Sequence, residues 1–141
     1  MRPYILYIKK CPGVESPRHF KIGVAALDKA RTRLATYQNA VGPIWEEQFI
    51  KIWAGEDIDI KEAEKKVKLY FKDKISSAEA GLSEWICDVD MQEIIDFVGE
   101  LRTDYFINLI DPPAELQPLT MPLCEDLLEW WNLLQENNDL A

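Results

Sequence analysis

Two short apolar runs joined by a turn-rich link constrain this chain first: Tyr4-Ile5-Leu6-Tyr7-Ile8 and Phe20-Lys21-Ile22-Gly23-Val24. Both are rich in Ile, Val and aromatic residues, which favour a pleated, covered surface, so each is expected to be a strand. Cys11-Pro12-Gly13 and Ser16-Pro17 lie between them, which suits a hairpin with a long loop. Leu27, Ala30, Leu34 and Tyr37 then recur at helical spacing. That spacing predicts a helix packing its apolar stripe on the strands and stopping at Asn39 and Gly42-Pro43.

From Ile44 to Trp53 the second half alternates, Phe49, Lys51 and Trp53 against Ile50 and Ile52, and reads as a third strand. Asp59 to Lys74 reads as a helix, with Asp57 or Asp59 as cap, carboxylates in the early turns and Lys72 and Lys74 at the far end. Leu82 to Cys87 reads as a short strand or extended turn, and Asp90 to Leu101 as a core helix with Met91, Ile94, Ile95, Val98 and Leu101 on its apolar side. Beyond Thr103, Tyr105 to Ile110 is expected to add a strand and the stretch with Pro118 and Pro122 to be a linker. Leu123 to Gln135 is expected to form an amphipathic acidic helix whose Trp130 and Trp131 need cover, from this domain or from a partner. The expected fold class is therefore α+β: a small three-stranded antiparallel sheet flanked by helices, with residues 1–103 as the domain and 104–141 as an acidic C-terminal extension.

Charge is distributed unevenly along the chain. The net charge of −9 opposes nucleic-acid binding as a whole. Residues 1–40, however, carry eight basic side chains against Glu15 and Asp28, while residues 104–141 carry eight acids and no Lys or Arg. Lys9, Lys10, Lys29 and Arg31 are therefore candidates for a cationic surface that holds a polyanion such as DNA. A length of 141 residues, 48% hydrophobic, fits one ordinary domain with a real core. No apolar run reaches the roughly eighteen residues of a membrane span, and Lys9, Lys10 and Pro12 break the opening run. No membrane partner and a cytoplasmic location are expected. Cys11, Cys87 and Cys124 are odd in number and far apart, and are read as packing thiols, not a zinc site.

Within the second helix Ile60, Ala63, Val67, Tyr70 and Phe71 form the apolar stripe, which places Glu64 on it and leaves Glu62 facing water. A carboxylate there requires a partner: a Lys or Arg, a hydrogen-bond donor or a metal.

Taken in order, Ile5-Leu6-Tyr7, Lys21-Ile22-Gly23, Arg33-Leu34-Ala35-Thr36-Tyr37-Gln38, Glu64 and Glu84-Trp85 resemble the motifs of the GIY-YIG nuclease superfamily. The resemblance is narrower to its branch in bacteriophages and bacterial genomes whose second motif reads Lys-Ile-Gly. It spans residues 4 to 101 and implies a metal-dependent endonuclease acting on DNA. Tyr7 would activate the attacking water, with Tyr4 as the other candidate tyrosine. Lys21 would contact the scissile phosphate or tune the tyrosine. Arg33, or Arg31 close by, would steady phosphate charge. Glu64 would hold a single Mg²⁺ or Mn²⁺. Gly23 and Trp85 would be structural motif residues, Lys68 stands where the branch often has a histidine, and His19, the only histidine, is close to Lys21. The alternative is a binding or regulatory protein that keeps the fold, its acidic helix touching a protein partner, a second copy in a homodimer, or its own basic face.

Overall fold

A computed structural model describes residues 2–10, 19–32, 48–76, 85–120 and 123–139. In chain order the elements are β1 (Pro3–Lys10), β2 (His19–Ala26), β3 (Gln48–Phe49), β4 (Lys51–Glu56), α1 (Asp57–Tyr70), β5 (Ile75–Ser76), β6 (Trp85–Cys87), α2 (Met91–Asp104), β7 (Leu119–Thr120) and α3 (Cys124–Asp139). The fold is α+β. The expected three-stranded antiparallel unit is β4-β1-β2, which β6 and β5 lengthen on the β2 side, while β3 and β7 make a separate two-stranded ribbon. Tyr4 lies opposite Ala26, Tyr7 opposite Gly23 and Lys9 opposite Lys21 across β1 and β2. On the other side of β1, Leu6 lies opposite Trp53 and Ile8 opposite Lys51.

β1 is the middle strand of this unit, and its side chains alternate between two cores. Leu6 and Ile8, with Phe20, Ile22 and Trp53, pack against Ile60, Ala63 and Val67 of α1 and Ile94, Val98 and Leu101 of α2. Ile5 and Tyr7, with Ala25, Ile52 and Ala54, pack against Phe49, Leu119, Leu127 and Trp131. Burial on both faces explains why Ile5 to Ile8 carries no polar alternation.

α1 begins earlier than the spacing suggests, and its N-cap is Glu56; Asp57 is the first helical residue, its carboxylate accepting the Ile58 N–H at 2.9 Å. It stops at Tyr70, and Lys72–Lys74 form a 3₁₀ turn. α2 starts with a capping box in which the Asp90 N–H donates to Glu93 Oε2 at 2.8 Å. The first predicted helix is seen as a 3₁₀ turn at Leu27–Lys29 followed by helical residues 30–32; its remainder, from Arg33, lies outside the described residues. So do 44–47 and 82–84, the opening parts of the third and fourth predicted strands.

Past α2 the chain departs from expectation. Residues 105–110 form no strand: Ile107 N–H donates to Leu101 O, Phe106 turns the backbone through the left-handed region at φ 55°, and Ile110 makes one bridge to Ala54. Tyr105 and Phe106 therefore point to solvent while Ile107 and Leu109 are buried. Nor is the following stretch a free linker. It contains a 3₁₀ turn at Ala114–Leu116 and then β7, which pairs with β3. Gln117 ties it down, its Nε2 donating to Pro112 O and its Oε1 accepting the Ile52 N–H, both at 3.2 Å.

α3 closes the second core. Cys124, Leu127 and Trp131 are buried there, so the domain itself covers Trp131. The Cys124 thiol donates to Thr120 O at 3.3 Å, and burial pushes its pKa up to about 11, as a packing thiol requires. Among the described residues no helix is long and apolar enough to cross a membrane.

An ion cluster fixes the segment after α2: Arg102 Nη1 donates to Asp111 Oδ2 at 3.0 Å and Lys51 Nζ lies 3.5 Å from Oδ1. The Arg102 hydrogen bond, with the charges of Arg102 and Lys51, holds the Asp111 carboxyl below its ordinary value against the opposing effect of burial.

Two outcomes are expected. Leu127 is fully buried, so Leu127→Ala should remove about 2–5 kcal/mol of stability in urea unfolding. A depressed carboxyl pKa contributes stability above its unfolded value that is lost as pH falls through the folded value. Wild-type stability should therefore decline on acidification below about pH 5, and Asp111→Asn, less stable at neutral pH, should show a shallower decline in the same titration.

Candidate functional site

The register of β1 decides which of the sequence-derived candidates can meet. Tyr7 is fully buried, its ring stacked on Phe49 with centroids 4.1 Å apart and planes 10° from parallel. Gly23 lies directly across from it, and a Cβ there would stand 2.5 Å from the Tyr7 hydroxyl oxygen and 2.7 Å from Cζ. Gly23 is thus required because the tyrosine ring occupies the space a side chain would take. Lys21 lies on the same face as Tyr7, across from Lys9. Lys9 is buried, with Nζ 5.7 Å from the Phe49 ring centre, so it belongs to the second core and not to a DNA-contacting surface.

Glu64 stands on the other side of the sheet. α1 packs on the Leu6 and Ile8 face, and Glu64 is half-buried on it with Oε2 3.5 Å from Lys68 Nζ. The stripe position read from the sequence is correct, and the partner in the structure is a lysine one turn on. Glu62, as expected, faces outward and pairs with Lys66. The sheet therefore separates Tyr7 and Lys21 from Glu64, and Arg33 lies outside the described residues. The expected set of four does not converge.

Tyr4, the other candidate tyrosine, is an odd number of residues from Tyr7 and so points to the opposite face, the one that carries α1. An open groove of about 490 Å³ surrounds it, lined by Arg2, Tyr4, Val24, Ala25, Ala26, Lys29 and Thr32. The start of β1, the end of β2 and the 3₁₀ turn meet here, which brings three separated stretches together. Arg2 Cζ lies 5.9 Å from the Tyr4 ring centre and its Nη2 donates to Asp28 Oδ1 at 3.0 Å. Lys61, on the first turns of α1, places Nζ 4.9 Å from the same ring centre. Arg2 is near Tyr4 because it stands two residues before it in the same extended stretch, whereas Lys61 carried no site signal beyond its charge, because its nearness to Tyr4 depends on how α1 and β1 are laid together.

The remaining candidates are dispersed. Arg31 is exposed and lies 3.6 Å from Glu125 at the start of α3. Lys29 lines the groove. Lys10, His19 and Trp85 are placed only by their backbones, Lys10 in β1 opposite Phe20, His19 in β2 opposite Cys87, and Trp85 in β6 opposite Lys21. Among the described residues no three His, Cys, Asp or Glu side chains gather as a metal cluster. Comparison with protein-family models, with curated protein sequences and with solved structures gives no match.

Because the Tyr7 ring is locked between Phe49 and the strand, Gly23→Ala should destabilise the fold by about 1–3 kcal/mol. Adding Tyr7→Phe should recover only part of the loss, since ring carbon Cζ also crowds the new methyl; thermal unfolding of the two variants tests this.

Proposed function

We propose that the chain is a metal-dependent endonuclease of GIY-YIG type that hydrolyses DNA phosphodiester bonds, with its working surface at the Tyr4 groove and the adjoining side of α1. The observation that carries this reading is that Tyr4, one of the two tyrosines the motif resemblance offers, shares its side of the sheet with Glu64 and is ringed by cations. Tyr4 would orient the attacking water through its phenolic oxygen and, as the phenolate, take up that water's proton, its own proton having passed to solvent. Lys29 supplies positive charge for a phosphate at the groove mouth, where Arg2 is paired with Asp28. The chain's net negative charge is compatible with this, because the four acids of α1 are matched by four lysines, whereas α3, on the other face, carries five acids and no Lys or Arg.

The metal the resemblance implies is Mg²⁺ or Mn²⁺. Glu64 suits it as a hard oxygen ligand, and the Lys68 ammonium now beside that carboxylate is a weak competitor, since partly exposed i,i+4 pairs contribute only about 0.3–0.5 kcal/mol. When bound, such an ion stabilises charge on the leaving oxygen.

The Glu64–Lys68 pair itself favours a second reading, in which the fold binds DNA without cutting it. A protein partner or second copy would then meet the outer side of α3, where Glu125, Asp126, Glu129 and Leu133 are exposed.

Plasmid nicking with Mg²⁺ or Mn²⁺ separates the readings. It calls for the full chain, because α3 is part of the core. Wild type should nick, Glu64→Ala should abolish nicking, and Tyr4→Phe should slow it by about 100-fold or more. A folded wild type that binds DNA yet is inert with both metals establishes the binding reading; nicking undiminished in Glu64→Ala removes this site.

A further inference from the structure

We infer that Lys61 is the phosphate-binding lysine of the Tyr4 groove, filling the role the motif resemblance gives to Lys21; this rests on the proposal that the groove takes a DNA backbone. Lys21 stands across the sheet on the Tyr7 face, so its charge does not serve a phosphate beside Tyr4. Lys61 is three residues before Glu64 on α1, and its ammonium lies 4.9 Å from the Tyr4 ring centre. Residues three apart on a helix share a side, so the cation and the carboxylate flank the same surface.

The cations around the groove and along α1 differ in their partners. Arg2 is neutralised by Asp28, Arg31 by Glu125, Lys66 by Glu62 and Lys68 lies against Glu64. Among the described residues no carboxylate is paired with Lys61, whose ammonium lies over the aromatic face of Tyr4. An aromatic face holds an ammonium in place without cancelling its charge. A lysine restrained beside a groove and still carrying its full charge loses less freedom on meeting a phosphate than a free surface lysine does. Among the described residues Lys29, which lines the groove, is likewise without a carboxylate partner, so a backbone phosphate lying over Tyr4 has two lysines within its surroundings.

The test is the salt dependence of binding to a short fluorescein-labelled DNA duplex, measured by anisotropy in EDTA so that nothing is cleaved. Each phosphate contact contributes about 0.9 to the slope of log K against log salt concentration. Lys61→Ala should reduce the slope by about 0.9, Lys61→Arg should keep it, and Lys72→Ala, an exposed lysine in the turn beyond α1, should leave it unchanged. Thermal unfolding of the three variants should match wild type. A wild-type slope in Lys61→Ala, or an equal fall in Lys72→Ala, overturns the assignment while leaving DNA binding intact. A wild type that fails to bind the duplex overturns both this inference and the function it rests on.

Discussion

Pairing β1 on both sides is the constraint from which the rest of the structure follows. A strand with β2 on one edge and β4 on the other has no free backbone, and its side chains must be accommodated alternately on two faces. One face is covered by α1 and α2, the other by the β3-β7 ribbon and α3. Four consecutive residues, Ile5 to Ile8, are fully buried as a result. The same alternation sorts the tyrosines: Tyr7 becomes a packing element wedged between Phe49 and Gly23, and Tyr4 is left at the rim beside solvent.

The acidic C-terminal segment takes on a different meaning in this frame. Four of its eight carboxylates, Glu125, Asp126, Glu129 and Glu136, are on the outside of α3, whose inner side supplies Leu127 and Trp131 to the core. The carboxylates of α3 are thus held by packing on the face opposite α1, with the exposed Arg31–Glu125 pair near the join. An exposed pair of that kind contributes about 1 kcal/mol at most, so apolar burial and not ion pairing keeps α3 in place.

Much of the sheet was legible because β-branched and aromatic runs bounded by Pro and Gly have few other uses. α1 and α2 were legible from spacing, and so was the half-buried position of Glu64. The choice between Tyr4 and Tyr7 was not. It depends on which face of β1 receives α1, and a strand that is apolar on both sides carries no mark of that. Residues 105–120 were misread for a different reason: their shape is set by contacts distant in sequence, such as Ile110 with Ala54 and Gln117 with Ile52, which no local pattern encodes. Lys61 was invisible for the same cause, since only the assembled fold brings it to Tyr4.

Gln117 has a consequence for how the molecule behaves among its own copies. β4 is the outermost strand of the sheet on its side, and outer strands offer unsatisfied amides that can recruit a strand from another molecule. Here the Ile110 bridge uses the N–H and C=O of Ala54, and the Gln117 carboxamide accepts the N–H of Ile52, so a side chain stands in for the backbone of a neighbouring strand. At Ile52 and Ala54 the β4 edge therefore has no free N–H to offer a strand from another copy, the first being taken by a side chain and the second by the Ile110 backbone.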